Sequence, residues 1–225
     1  MNIYCLPIQN SSWQDTENRL LSYVSGKRQQ TVLNYRHPID QKLSLYAALL
    51  TRMKLSQLTG IPNDSLLFHY NPFGKPLLSS NPQYYFSFSH THNIILCSIS
   101  DKGSVGVDVE PINKKFPIKC MHECMFEAFH PIEIQYIKNI AVESQHTYFY
   151  KIWTQKEAYV KFLGTGFSTE VSSINTLEPS LASYFYTWLY QNYICSVFTH
   201  TPKQDFSIEF VHETDIQKYF FAAFL

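Results

Sequence analysis

Apolar positions along this chain recur with two periods, and the switches between them mark its elements. Alternation suited to strands runs through Asn2–Ile8, read as an edge strand, and again at 66–70, 84–89, 93–100 and 104–110. Helical spacing appears near Gln14–Val24 and, after a basic segment at Gly26–Arg36, over Ile39–Thr59. That long helix is bracketed by His37-Pro38 before it and Gly60-Ile61-Pro62 after it. Two shorter helices are expected at 117–127 and 131–140, the second opened by Pro131 in its first turn. A further helix spans His146–Phe162, where Gly164 and Gly166 supply a left-handed stop. Strands near 184–190, 193–198 and 206–211 complete the pattern, with Gln191-Asn192 as a hairpin turn.

Strand, helix and strands thus follow one another twice, which is an α+β order. The one charged, glycine-containing break in mid-chain is Asp101-Lys102-Gly103, so the expected halves are 1–102 and 103–225. At 225 residues, 45% of them hydrophobic, the chain is long enough for a large core or two small ones. Lysine plus arginine and aspartate plus glutamate each number 18, giving a formal net charge of zero. A dedicated nucleic-acid binder would show a basic excess, so nucleic acid is not an expected partner. No stretch has the length and apolarity of a membrane span, and the amino terminus lacks the charge-then-apolar order of a leader. Five cysteines without framework spacing suit reduced thiols, and a cytoplasmic location is expected.

Chemistry concentrates in two blocks. In Gly106-Val107-Asp108-Val109-Glu110 the valines alternate with the acids, so Asp108 and Glu110 leave the strand on one side. Their Cα atoms should lie roughly 6–7 Å apart, from a rise of about 3.3 Å per residue. In Trp153-Thr154-Gln155-Lys156-Glu157-Ala158-Tyr159-Val160-Lys161, the residues Trp153, Glu157 and Lys161 are spaced by four on one helical stripe. Three carboxylates and a lysine on two elements suit a divalent cation held against a phosphorylated substrate. Magnesium takes few carboxylates together with substrate phosphate oxygens, and a metal and a lysine neutralise charge as phosphoryl transfer proceeds. A hydroxyl nucleophile also has to lose a proton. Glu157 is a candidate base, and Glu133 at the Pro131 helix start and water are its rivals.

Together the two blocks, extended to Phe167 and joined by Gly74-Lys75-Pro76 and Phe86-Ser87-Phe88-Ser89-His90-Thr91, resemble the 4′-phosphopantetheinyl transferases of the surfactin-synthetase-activating type. The resemblance runs from about Lys27 to Phe167. It implies two similar α/β halves related by a pseudo-twofold, each a small antiparallel sheet packed with helices, with coenzyme A bound between them. It implies transfer of the phosphopantetheine arm of coenzyme A to a serine of an apo acyl, peptidyl or aryl carrier protein. The carrier would belong to fatty acid, polyketide or nonribosomal peptide synthesis, and 3′,5′-ADP is released with Mg2+ as cofactor. By the same resemblance Asp108, Glu110 and Glu157 are the metal ligands and Lys161 contacts the pyrophosphate. Lys75, Ser89 and His90 lie along the coenzyme's phosphates, beside Gly74 and Pro76, and Lys156 belongs to the motif. Lys27 and Arg28 match the basic pair at the adenosine 3′-phosphate. Relatives often carry an arginine just after the position of Asp40; here Lys42 and Ser44 stand where a substitute for it is expected. A monomer is expected, since the single-half carrier synthases that work as trimers are too short to match. An inactive carrier-binding scaffold and a different Mg2+-dependent phosphoryl enzyme are the alternative readings.

Overall fold

A computed structural model of the chain describes residues 1–201 and 207–222. In chain order the first elements are β1 (Asn2–Pro7), α1 (Asp15–Leu20), α2 (Gly26–Leu33), α3 (Pro38–Thr59), β2 (Phe68–Tyr70) and β3 (Pro76–Leu78). Next come β4 (Tyr85–Thr91), β5 (Ile94–Ser100), β6 (Val105–Pro111), α4 (Ile118–Ala128), α5 (Pro131–Asn139) and α6 (Val142–Leu163). The last are α7 (Pro179–Ala182), β7 (Phe185–Tyr190), β8 (Tyr193–Thr199), β9 (Ile208–Phe210) and α8 (Glu213–Phe221). The class is α+β, as the twice-repeated order requires.

The chain forms two compact units, one comprising Met1–His69, Pro76–Asp101 and Phe206–Leu225, the other Tyr70–Lys75 and Lys102–Asp205. In the first, a sheet of order β4-β5-β1-β9 packs on α3. Pro38 opens that helix in its first turn, and Gly60 closes it at φ +73°, a left-handed cap that glycine adopts without strain. Leu43, Tyr46, Leu50 and Met53 of α3 meet Leu6, Phe86, Ile95 and Cys97 from the sheet in one core. Burying each such large side chain contributes about 1.5–3 kcal/mol.

Three expectations are revised here. β1 is not an edge strand, because β9 pairs with it in parallel register, Ile3 opposite Ile208 and Cys5 opposite Phe210. The parallel pairing also means that this sheet is not wholly antiparallel. The carboxy-terminal segment therefore does not belong with the second half: α8 buries Ile216 and Phe220 in the first unit's core. Of the strand expected at 206–211, residue 206 lies outside the described residues.

In the second unit, β6, β8 and β7 form an antiparallel sheet joined through the turn at Gln191-Asn192. The α6 helix lies across β6 and β8. It starts at Val142, ahead of the aromatic pattern that betrays it, because its first turn is largely solvent-facing and carries little hydrophobic signal. Below it Met121, Met125, Phe129, Ile137, Phe149 and Ile152 knit α4, α5 and α6 together. Ala158, Phe162, Phe185 and Phe198 seal α6 to the sheet.

Candidate active site

Gly106 sets how closely β6 and α6 approach. A Cβ built there would sit 1.9 Å from the Ala158 carbonyl oxygen and 2.4 Å from the Phe162 nitrogen, so only glycine permits the contact. Asp108 and Glu110 share that face of β6 by strand alternation, and so they are pressed toward the helix that carries Glu157 and Lys161. The Lys161 ammonium reaches an Asp108 carboxylate oxygen at 2.6 Å, with Asp108 almost wholly buried and Lys161 30% exposed. The indole N–H of Trp153 donates to the Glu110 carboxylate.

The acids feel one another. Burial first, then the charges of Asp108 and Glu157, raises Glu110 to about 7, against the opposing pull of Lys161 and Trp153. Glu157 is also raised, by burial and then by Asp108, with Lys161 opposing. The structure thus brings the expected acids and lysine into one electrostatic neighbourhood on β6 and α6. Among the described residues, no three His, Cys, Asp or Glu side chains are gathered into a preformed metal cage.

Other expected members fare differently. Lys156 points away from this face and is fully buried, paired with Glu133 at 2.8 Å. It also donates to the Val171 and Ile174 carbonyls. Burial pulls its ammonium below the usual lysine range, with Glu133 opposing. Glu133 is equally buried and accepts from the backbone N–H and hydroxyl of Thr176 and from the His130 N–H. Lys156, expected as a coenzyme contact, and Glu133, expected as a rival base, are here the two partners of a buried ion pair.

Lys42 is corrected in the same way. It is 3% exposed, with its ammonium 2.7 Å from Glu213, 3.5 Å from Glu17 and donating to the Asn10 carbonyl. It locks α1, α3 and α8 together at the position where a substitute for the phosphate-binding arginine was expected. Ser44 is fully buried, and its carbonyl accepts from the Arg28 guanidinium at 2.7 Å. Arg28 also lies over the Phe88 ring on β4, the strand that carries Ser89 and His90. Lys27 is exposed at the start of α2.

In the turn before β3, Gly74 adopts φ +89° and Pro76 opens the strand. Between them, Lys75 directs its ammonium at Ser104 Oγ (3.2 Å), the Val105 carbonyl (3.3 Å) and the Phe162 carbonyl (3.2 Å). Burial lowers it to about 8. Asn71, Ser104 and the packing role of Gly106 are the positions that motif reading passes over. An Asx signal was present in Asn71-Pro72-Phe73-Gly74, since the Asn71 side chain accepts from the Phe73 and Lys75 N–H groups.

A family model described as 4′-phosphopantetheinyl transferase superfamily matches residues 104–214. Another, described as 4′-phosphopantetheinyl transferase, N-terminal, matches residues 11–101. The chain is 35% identical over 156 residues to the 4′-phosphopantetheinyl transferase gsp of Aneurinibacillus migulanus, covering 69% of this chain and 62% of that one. It is 27% identical over 168 residues to psf-1 of Bacillus pumilus, covering 74% and 69%. With Sfp of Bacillus subtilis (strain 168) the identity is 25% over 175 residues, covering 78% and 75%. The chain thus spans slightly less than two thirds of the first relative's length.

Proposed function

Since this chain belongs to the 4′-phosphopantetheinyl transferase superfamily, we propose that it transfers the phosphopantetheine arm of coenzyme A to a serine of an apo carrier protein. One observation carries the reading: facing elements held together at Gly106 bring Asp108, Glu110, Glu157 and Lys161 into mutual electrostatic range.

The donor set fits a hard divalent cation. It is all carboxylate oxygen, and two of its members are pushed up by burial and mutual repulsion even with Lys161 opposing. Asp108, Glu110 and Glu157 would hold Mg2+, which when bound supplies neutralising charge to the pyrophosphate. Lys161, partly exposed beside Asp108, is the cation placed to meet a phosphate oxygen. The serine oxygen attacks the β-phosphorus, and the bond from that phosphorus to the departing 3′,5′-ADP oxygen breaks. The serine proton passes to Glu157, directly or through a water. Trp153 holds Glu110 in place through its indole N–H. Lys27, Arg28, Ser89 and His90 are kept as coenzyme phosphate contacts on the strength of the resemblance, while Lys42 and Lys156 are not. We place the enzyme in the cytoplasm as a monomer. No disulfide joins Cys5, Cys97, Cys120, Cys124 and Cys195, which supports a reducing compartment, and among the described residues no helix is long and apolar enough to cross a membrane.

The test is transfer from coenzyme A to a panel of apo carriers, read by intact mass and by 3′,5′-ADP release with and without EDTA. Glu157→Gln should abolish transfer with an unchanged melting curve. Asp108→Asn should remove the rise in melting temperature that Mg2+ gives the wild type. Tight carrier binding without 3′,5′-ADP release would instead establish an inactive scaffold.

A further inference from the structure

The last turn of α6 is held by a brace from outside the helix. A helix leaves its final carbonyls without intrahelical donors, and its carboxy-terminal end favours positive charge. Here the Phe162 carbonyl accepts from Ser104 Oγ at 2.7 Å and from the Lys75 ammonium at 3.2 Å. The Gly164 carbonyl accepts from the Asn71 side-chain amide at 2.7 Å. Lys75 also donates to the Val105 carbonyl at the start of β6. One ammonium therefore ties together the two elements that carry the site. Gly164 makes room for it: a Cβ there would meet Lys75 Cδ at 2.8 Å and Asn71 Nδ2 at 3.1 Å. Along β6 the brace stands three residues from Asp108, about 10 Å at 3.3 Å per residue. Along α6 it abuts Lys161 directly.

We propose that Lys75 is a positioning residue that braces α6 against β6, assisted by Asn71, and that it does not act as a coenzyme phosphate contact. Its three acceptors are all oxygens of the chain, and they consume the ammonium's three N–H donors. A phosphate contact would require giving up this cap. The inference rests on the transferase reading only for its kinetic arm.

The test compares Lys75→Met, Lys75→Arg and Asn71→Ala in the full chain. Measured quantities are kcat, KM for coenzyme A and for 3′-dephospho-coenzyme A, and amide exchange across 158–164. A displacement of about 1 Å at a catalytic site lowers turnover on the order of a hundredfold, so Lys75→Met should lower kcat by roughly tenfold or more. KM for either coenzyme should stay within about twofold, because no ligand contact is lost. Asn71→Ala should act in the same direction, Lys75→Arg should restore most of kcat, and exchange at the end of α6 should speed up in Lys75→Met and Asn71→Ala. If Lys75→Met does not fold, Asn71→Ala and its exchange pattern decide. An unchanged kcat, or a large rise in KM for either coenzyme, overturns the brace. A wild type that transfers nothing overturns the transferase reading instead, and the exchange data still judge the brace.

Discussion

Adding one carbon at Gly106 should separate the site without touching any charged group. The new Cβ of Gly106→Ala would lie 1.9 Å from the Ala158 oxygen and 2.4 Å from the Phe162 nitrogen. Both are backbone atoms of α6, so no side chain can swing aside to relieve the overlap. Reaching even a 3.0 Å contact forces β6 and α6 apart by about 1 Å. That movement pulls Asp108 off Lys161, now at 2.6 Å, beyond hydrogen-bond length. Overpacking of this kind costs about 1–3 kcal/mol of stability, which at this chain length lowers Tm by roughly 2–12 °C. A 1 Å misplacement also costs on the order of a hundredfold in turnover. Differential scanning fluorimetry gives the first quantity, and carrier loading followed by intact mass below the mutant's Tm gives the second. A Gly106→Ala protein with native melting and native turnover would refute the argument that this glycine sets the spacing of the acids.

Lys156→Met should lower Tm by roughly 10 °C, since stranding one member of a buried ion pair costs about 3–5 kcal/mol. Combining it with Glu133→Leu should recover much of the loss, whereas native melting with lost transfer in Glu133→Gln would return Glu133 to the reaction. Lys42→Met should destabilise the fold through the stranded Glu17 and Glu213, yet leave KM for coenzyme A unchanged in steady-state assays. For Lys75 the folded pKa of about 8 lies below the ordinary 10.5, so the unfolded chain binds more protons between those values. Stability contributed at this position therefore rises with pH from about 8 to 10.5, and Lys75→Met should lack the rise. Urea midpoints of the two proteins across that window check it, and parallel curves would count against the burial.

The alternating valines of 105–109 and the four-residue spacing of Trp153, Glu157 and Lys161 are local geometry, and local periods suffice to put each set on one face. Glycine and proline punctuation likewise set the ends of α3 and α6 within a few residues, and the same motifs carry the family. By itself, then, the order of residues determined the α+β class and the placing of Asp108, Glu110, Glu157 and Lys161 on faces that meet. Tertiary packing decided which partner each lysine meets. Lys42, Lys75 and Lys156 all sit in segments whose composition suits phosphate contact, yet Glu213, Phe162 and Glu133 draw them into the protein. It also decided that β9 and α8 return to the first unit, removing the free edge of β1. The physical reason is the same in each case. A buried ammonium or an unpaired strand edge finds its partner far along the chain, and no local period encodes which distant oxygen or backbone will be there.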